Sequence, residues 1–456
     1  MVKATLQGAV LLGLLACTTP GFAEVQNVKV GGEVTVRAFH RENLDLHDEN
    51  SSTSEGLDGE NFIMQTVGLN VGADLTENVS TFLRLANERD WDQTVGEASE
   101  VALSQAYISV KELFYSPLTL KIGSQPITWG RGFVLGSGLL PNVNYIGDDR
   151  NAAITANEFT DFTAFDAIRA TLDLEGVANL GMPLTAEYVY IKLDENTVGS
   201  ADDVNVQGIN LGTRLDVANA ELETYFLNMR DKASGTSNNG SLNTLGIRGT
   251  AQPMEGANFY TELAYQFGKR VIDPAGVLIA GESQQAWAFN LGADYQLADV
   301  MATPTIGAEW RYYSGKDVDG AVAGWRPIAP GYFRNALRDF QSQSTVAGFY
   351  ATDQAGVTGA TTNQHELGFY GSLKPIEDLT VAPRLAWFIM DTGSIPSAGS
   401  KRESFLGTEW DTVVTYDYTD DVQLGLIYAL FAPGSAFRSP NDSTAQELIT
   451  SVSVKF

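Results

Sequence analysis

Residues 303–313 read Thr-Pro-Thr-Ile-Gly-Ala-Glu-Trp-Arg-Tyr-Tyr. In an extended chain successive side chains point to opposite faces. Ile306, Ala308, Trp310 and Tyr312 therefore share one face, and Gly307, Glu309, Arg311 and Tyr313 share the other. One face is apolar; the other carries a carboxylate and a guanidinium. The preceding stretches repeat the pattern. In 285–297, Trp287, Phe289 and Leu291 oppose Ala288, Asn290 and Gly292; in 257–268, Phe259, Leu263, Tyr265 and Phe267 oppose Tyr260, Glu262 and Gln266. Period-2 alternation is the signal of strands with unlike faces.

Working outward, eighteen such segments run from 28–38 to 445–456, most of them 10–14 residues long. A tilted strand needs about 9–11 residues to cross a bilayer, whereas strands of soluble sheets are usually about 5–6 residues. The joints alternate in length. Leu75-Thr76-Glu77-Asn78, Pro253-Met254-Glu255-Gly256 and Tyr418-Thr419-Asp420-Asp421 are short; 39–63, 129–163, 269–284, 315–364, 391–404 and 433–444 are long. This is the pattern of an all-β transmembrane antiparallel up-and-down β-barrel of about 18 strands, with short periplasmic turns and long extracellular loops. Helix competes only at Arg334–Gln343. A cationic side chain facing lipid at the midplane costs roughly 2–4 kcal/mol, so the charged faces belong to the lumen. Tyr265, Trp310, Tyr312, Trp387, Trp410, Tyr416 and Phe431 are then candidates for the aromatic girdles.

Composition narrows the partners. The chain has 456 residues, Lys+Arg 29 against Asp+Glu 56, and a formal charge of −27. Such acidity opposes nucleic-acid binding. Beyond the first 25 residues no apolar run reaches the roughly 18–20 needed for a helical span. One cysteine, Cys17, excludes disulfide frameworks and Cys-ligated metal or haem. Residues 1–23 read as a signal peptide: basic Lys3, the apolar Ala9–Ala16, and a small-x-small site at Gly21-Phe22-Ala23. Leu14-Leu15-Ala16-Cys17 offers a rival, lipoprotein-type cut. Residues 24–456 then form the barrel, placed in the bacterial outer membrane among lipid and lipopolysaccharide.

Strand parity sends nine basic residues inward: Lys29, Arg37, Arg84, Lys121, Arg169, Arg214, Arg248, Arg311 and Arg384. Glu262, Glu309, Glu409 and Asp411 are among the inward acids. These thirteen are the candidate pore-lining or solute-binding residues. The charges either pair across strands and stiffen the wall, or leave unpaired Arg and Lys as a selectivity track for anions or sugar acids. Trp129–Phe162 and Ser314–Gln364 are the candidate gating loops, with Trp129, Tyr145 and Arg150 in the first and Trp325 and Arg334 in the second. The Gly130–Gly138 stretch lacks the Lys-Ser/Thr ending of a phosphate-cradling loop. His40, His47 and His365 are scattered, so no metal site, cofactor or catalytic set is expected.

Leu406-Gly407-Thr408-Glu409-Trp410-Asp411, then Asp420-Asp421 and Phe431-Ala432-Pro433-Gly434, resembles the G-x-E-x-D strand and closing hairpin of the alginate-export family of eighteen-stranded outer-membrane porins. Gly123-Ser124-Gln125-Pro126-Ile127-Thr128-Trp129-Gly130 is similar to that family's G-R-Q-x-x-x-aromatic-G stretch, with Ser124 in place of Arg. The final strand ends at Phe456, which resembles the signal read by the barrel assembly machinery. The resemblance implies a monomeric channel passing small or oligomeric polar solutes, anionic or saccharide-like. Two other functions fit a barrel: a structural sleeve or adhesin holding a partner protein, and an outer-membrane enzyme.

Overall fold

The computed structural model describes residues 27–44, 46, 60–91, 101–114, 117–137, 162–175, 182–194, 203–232, 239–272, 279–315, 322–339, 361–392, 403–437 and 442–456. The 1–23 leader, the acids of Asp45–Glu60 except its last residue, and Tyr145 and Arg150 lie outside these residues. The wall strands are β1 (Asn27–Glu42), β2 (Glu60–Asp74), β3 (Val79–Asp90), β4 (Ala102–Lys111), β5 (Leu118–Gln125), β6 (Phe165–Asp173), β7 (Leu184–Asp194), β8 (Val204–Leu215) and β9 (Ala220–Lys232). They continue as β10 (Asn239–Met254), β11 (Ala257–Ile272), β12 (Ile279–Gln296), β13 (Thr305–Tyr313), β14 (Gln364–Ile376), β15 (Leu379–Met390), β16 (Phe405–Asp417), β17 (Val422–Pro433) and β18 (Ala445–Lys455).

Each strand pairs antiparallel with its sequence neighbours, and β1 pairs with β18 from Glu33↔Lys455 to Glu42↔Gln446. The sheet therefore closes on itself at eighteen strands, which leaves no edge with unpaired backbone groups in the bilayer. At the seam the Gly32 amide donates to the Phe456 carbonyl at 2.9 Å and the Phe456 amide donates to Gly32 at 3.0 Å. Higher on the seam, buried Arg41 is paired with buried Glu447 and lies over the Phe39 and Phe62 rings.

Apolar side chains coat the outside. Ile209, Ile247, Phe259, Trp287, Ile306 and Phe369 are exposed, while Glu262, Arg311 and Glu409 on the opposite parity are 0% exposed. The outer aromatics interlock: Tyr265 and Trp287 have ring centroids 4.4 Å apart, and Phe289 meets Trp310 edge-on at 4.7 Å. Phe431 corrects the girdle assignment. It is fully buried and packs inside the barrel against Phe388 and Phe437. In β17 the even-numbered side chains, such as Leu424, face lipid, so Phe431 falls on the inner face.

Several strand limits differ from the sequence reading. The 117–128 segment ends at Gln125, before Pro126, which has no amide for the ladder; Thr128–Trp129 instead pairs with Leu135–Gly136 in a small inner hairpin. Strands β10 to β12 extend outward past the expected 243–253, 257–268 and 285–297, where Asn, Gly and Ser interrupt the alternation. Arg334–Asp339, the described part of the suspected helix, is irregular chain and turn.

Candidate functional site: a constricted lumen

The outward part of the lumen is packed with apolar side chains. The outward ends of β6 to β12 carry apolar side chains on their lumenal face too, including Val189, Ile191, Val206, Leu227 and Met229. Against them pack Ile127, Trp129, Phe133 and Leu135 of segment 126–137, and Trp325 and Ile328 of segment 322–339. On the far side Leu337 joins Leu44, Leu46, Phe388, Leu406 and Phe431 in a second cluster. Both segments are thus folded into the barrel, where burial of their apolar residues drives them.

The two segments also join each other. The Gly136 amide donates to Ala329 at 2.8 Å, Ala329 to Val134 at 3.2 Å, and Gly331 to Gly132 at 2.8 Å. Irregular chain inside a barrel must find acceptors for its amides, and wall carboxylates supply them. Glu223 accepts from the Gly130 amide at 2.9 Å and Glu262 from Arg131 at 2.8 Å. Glu409 accepts from Leu337 and Arg338 at 2.7 and 3.0 Å. Glu187 takes the Trp129 indole N–H. Asp339 folds its own segment by accepting from the Arg334 and Asn335 amides at 2.6 and 3.0 Å.

Gly130 shows how tight this fit is. Its φ is +61°, a left-handed conformation, and a Cβ there would lie 2.5 Å from a Glu262 oxygen. A left-handed backbone costs a residue with a Cβ roughly 1–2 kcal/mol before any clash. Gly130→Val is therefore expected to loosen the inner hairpin. Single-channel records should show added open-state noise and faster trypsin cleavage near Arg131; records and digests like the wild type would contradict this placement.

Below the hairpin, guanidinium groups and phenols alternate. The Arg131 guanidinium lies 3.6 Å from the Tyr260 ring centroid and 4.8 Å from that of Tyr332, and donates to the Tyr332 hydroxyl at 2.7 Å. The Tyr332 and Tyr260 hydroxyls donate to Glu309 at 2.7 and 3.1 Å. Arg334 lies over the Tyr370 ring at 4.8 Å, with its Nε 3.7 Å from Glu309. Arg131, Tyr332, Arg334 and Tyr370 remain partly exposed. Burial would lower the pKa of Arg131, but the Tyr332 phenol and the Glu309 charge hold it above the ordinary arginine value. Arg338 differs: complete burial pushes it down to about 10, against the pull of Glu409.

The wall arginines are mostly paired. Arg84 meets Glu33 at 2.5 Å, Arg169 meets Glu187 at 2.5 Å, and Arg214 meets Glu221 at 2.9 Å. Arg248 bridges Glu221 and Glu223 at 3.0 and 2.6 Å. Arg311 reaches Asp339 at 2.9 Å and also Glu366; Arg384 reaches Glu309 and Glu366 at 2.8 and 2.6 Å. Arg37 donates to Thr66 at 3.4 Å, Lys121 lies over Tyr107 at 4.5 Å, and Lys29 is exposed at the periplasmic end of β1. Asp411 is buried beside Glu409. Trp129 and Trp325 are buried in the inner core, whereas Arg334 faces the remaining lumen.

Sequence reading passed over Arg131, Tyr370, Asp339 and Glu187. Arg131 sits inside the glycine-rich stretch that was compared with a phosphate loop; the signal that could have found it is a lone Arg between glycines beside an aromatic–glycine pair. Parity alone could have flagged Glu187 and Tyr370.

A closed eighteen-strand barrel, lipid-compatible outside and lined inside by charged groups around an inward constriction, is a porin-type channel of the bacterial outer membrane. The model of the family described as "Alginate export" matches residues 29–451, and the chain belongs to that family. Its fold is similar to OccK9 (OpdG) of Pseudomonas aeruginosa, at 14% identity and a TM-score of 0.55, covering 96% of this chain and 100% of that one. It is similar to a BenF-like porin from Pseudomonas fluorescens Pf-5 at 12% identity and 0.54, with the same coverage. OccAB4 of Acinetobacter baumannii is similar at 10% identity and 0.54, again over 96% and 100%. No curated protein matches the chain.

Proposed function

We propose that the channel passes carboxylate-bearing polar solutes, among them acidic sugars, across the outer membrane. One observation carries this reading: Arg131 and Arg334, brought by two different inner segments, stay partly exposed at the constriction and lie over Tyr260 and Tyr370. A guanidinium fork matches a carboxylate, and a flat aromatic neighbour suits the apolar side of a sugar ring. Around that point the wall residues Arg169, Arg248 and Arg384 pair with Glu187, Glu223 and Glu309, the carboxylates that also receive the Trp129 indole, the Gly130 amide and the Tyr332 hydroxyl. The inner segments fill the outer lumen themselves, which speaks against a sleeve around a partner protein. Assembly through Phe456, lipopolysaccharide contact and a monomeric state belong to the same reading, and rest on the family resemblance.

Liposomes containing the refolded protein should swell faster in isosmotic galacturonate than in galactose, since size is nearly equal and only the carboxylate differs. Equal rates would remove the anionic preference while leaving a general channel; swelling in neither would count against transport.

A further inference from the structure

Cross-strand register aligns a polar row on the outer face of β7 to β12: Lys192, Asn205, Arg230, Ser241, Lys269, Ser283. The next row toward the midplane holds Gln207, Asn228, Asn243, Phe267 and Gln285. The row after that is apolar and aromatic: Ile209, Phe226, Leu245, Tyr265, Trp287. Exposure of Ile209, Phe226, Leu245 and Trp287 puts this parity on the lipid side. The polar row lies at the strand ends away from the short turns at Val217–Asn219 and Glu255-Gly256, hence at the extracellular side. Cationic side chains on a lipid-facing surface are tolerated near that interface and not at the midplane.

The three cations of the row differ. Lys192 stands 3.9 Å from Asp203 and opposite Asp166 of β6, so its end of the row carries its own carboxylates. Arg230 and Lys269 are exposed, and among the described residues neither has a carboxylate partner. The Arg230 Nε donates to the Asn228 Oδ1 at 3.3 Å, and the Asn228 Nδ2 donates to Asn243 at 2.8 Å and to Ser241 at 3.1 Å. This chain of amides ties the guanidinium to the sheet. We infer that Arg230 and Lys269 bind the phosphates of a diphosphorylated glycolipid of the outer leaflet, with its acyl chains lying over the Phe226–Trp287 row. Charge complementarity carries the assignment: two cations without carboxylate partners face outward at headgroup level on a chain whose formal charge is −27. A guanidinium fork and an ammonium both pair with phosphate. The two side chains rise two strands apart, roughly 10 Å, a span that suits two phosphates better than one. Ser241, Ser283 and Gln285 beside them offer hydroxyls and an amide to a sugar headgroup, and the apolar row beneath suits hydrocarbon. The site rests on the outer-membrane setting of the proposed function and gives its lipopolysaccharide contact a place.

The test incubates the full-length barrel with diphosphoryl lipid A, or with its phosphate-free counterpart, and counts bound lipid by native mass spectrometry. The wild type should retain the diphosphoryl form and release the phosphate-free one. Arg230→Gln with Lys269→Gln should weaken retention roughly 30-fold, near fivefold per cation. Lys374→Gln, at an exposed lysine near the periplasmic end of β14, should retain the lipid as the wild type does. All three proteins should show the same heat-modifiable mobility, confirming folded barrels. Equal retention by the double variant, or equal retention of the phosphate-free form, would overturn the site. Displacement of the lipid by millimolar inorganic phosphate would assign the two cations to a soluble anion instead. Swelling of liposomes in galacturonate reads the lumen and not this outer face, so it should be the same in the double variant, and a failure of either reading shows separately.

Discussion

Arg131→Glu combined with Arg334→Glu is expected to reverse the ionic preference of the channel. Both side chains face what remains of the lumen, and Glu309 and Asp294 stand close by, Asp294 accepting from the Tyr370 hydroxyl at 3.2 Å. The double change alters the local charge by four units beside those carboxylates. At an effective dielectric near 20, a unit charge about 4 Å away contributes roughly 4 kcal/mol, far more than a permeability ratio requires. In a tenfold KCl gradient the zero-current potential should change sign. Arg131→Gln with Arg334→Gln should give an intermediate value and controls for the loss of the tyrosine contacts. An unchanged potential would place both arginines outside the ion path. Arg311 is a poorer probe despite its inward parity. It is 0% exposed and paired with Asp339 and Glu366, so Glu there breaks a buried network at a cost of roughly 3–5 kcal/mol before it reports selectivity.

Glu409→Ala should open the pore. Its carboxylate is the acceptor for the adjacent amides of Leu337 and Arg338, and alanine leaves both buried without a partner. Each orphaned donor costs roughly 1–3 kcal/mol. Even about 2 kcal/mol raises the population of the released segment roughly 30-fold. Segment 322–339 is joined to 126–137 through Gly132, Val134, Gly136, Ala329 and Gly331, so release of one loosens both. Larger conductance steps and weaker anion preference are the expected result, with the barrel itself still heat-modifiable. Steps of wild-type size would show that Glu409 does not hold the constriction.

The outer architecture was legible from Ile306, Trp310 and their equivalents, because a lipid-facing surface forces period-2 alternation on each strand. The inner architecture was harder. Parity could send Arg311, Arg384, Glu262 and Glu409 inward, but it could not say whether they meet water, one another or a loop. That depends on contacts between 126–137, 322–339 and the wall that are distant in sequence. A local clue existed. Tyr188-Val189-Tyr190-Ile191 and Phe226-Leu227 are apolar on both faces, and an inner apolar face in a water-filled tube needs something to cover it. Phe431 was misassigned for the same reason: an aromatic near a strand's outer end can face lipid or an inward loop, and composition does not distinguish them.

The most direct measurement uses the fact that residues 24–456 contain no cysteine. Single variants Arg131→Cys and Ile247→Cys can each be exposed to a charged, membrane-impermeant thiosulfonate during planar-bilayer recording. Current through the first should fall in discrete steps as reagent reacts at the constriction, while current through the second, whose side chain faces hydrocarbon, should not change. Block at position 247 with none at 131 would invert the two faces and contradict the barrel described above.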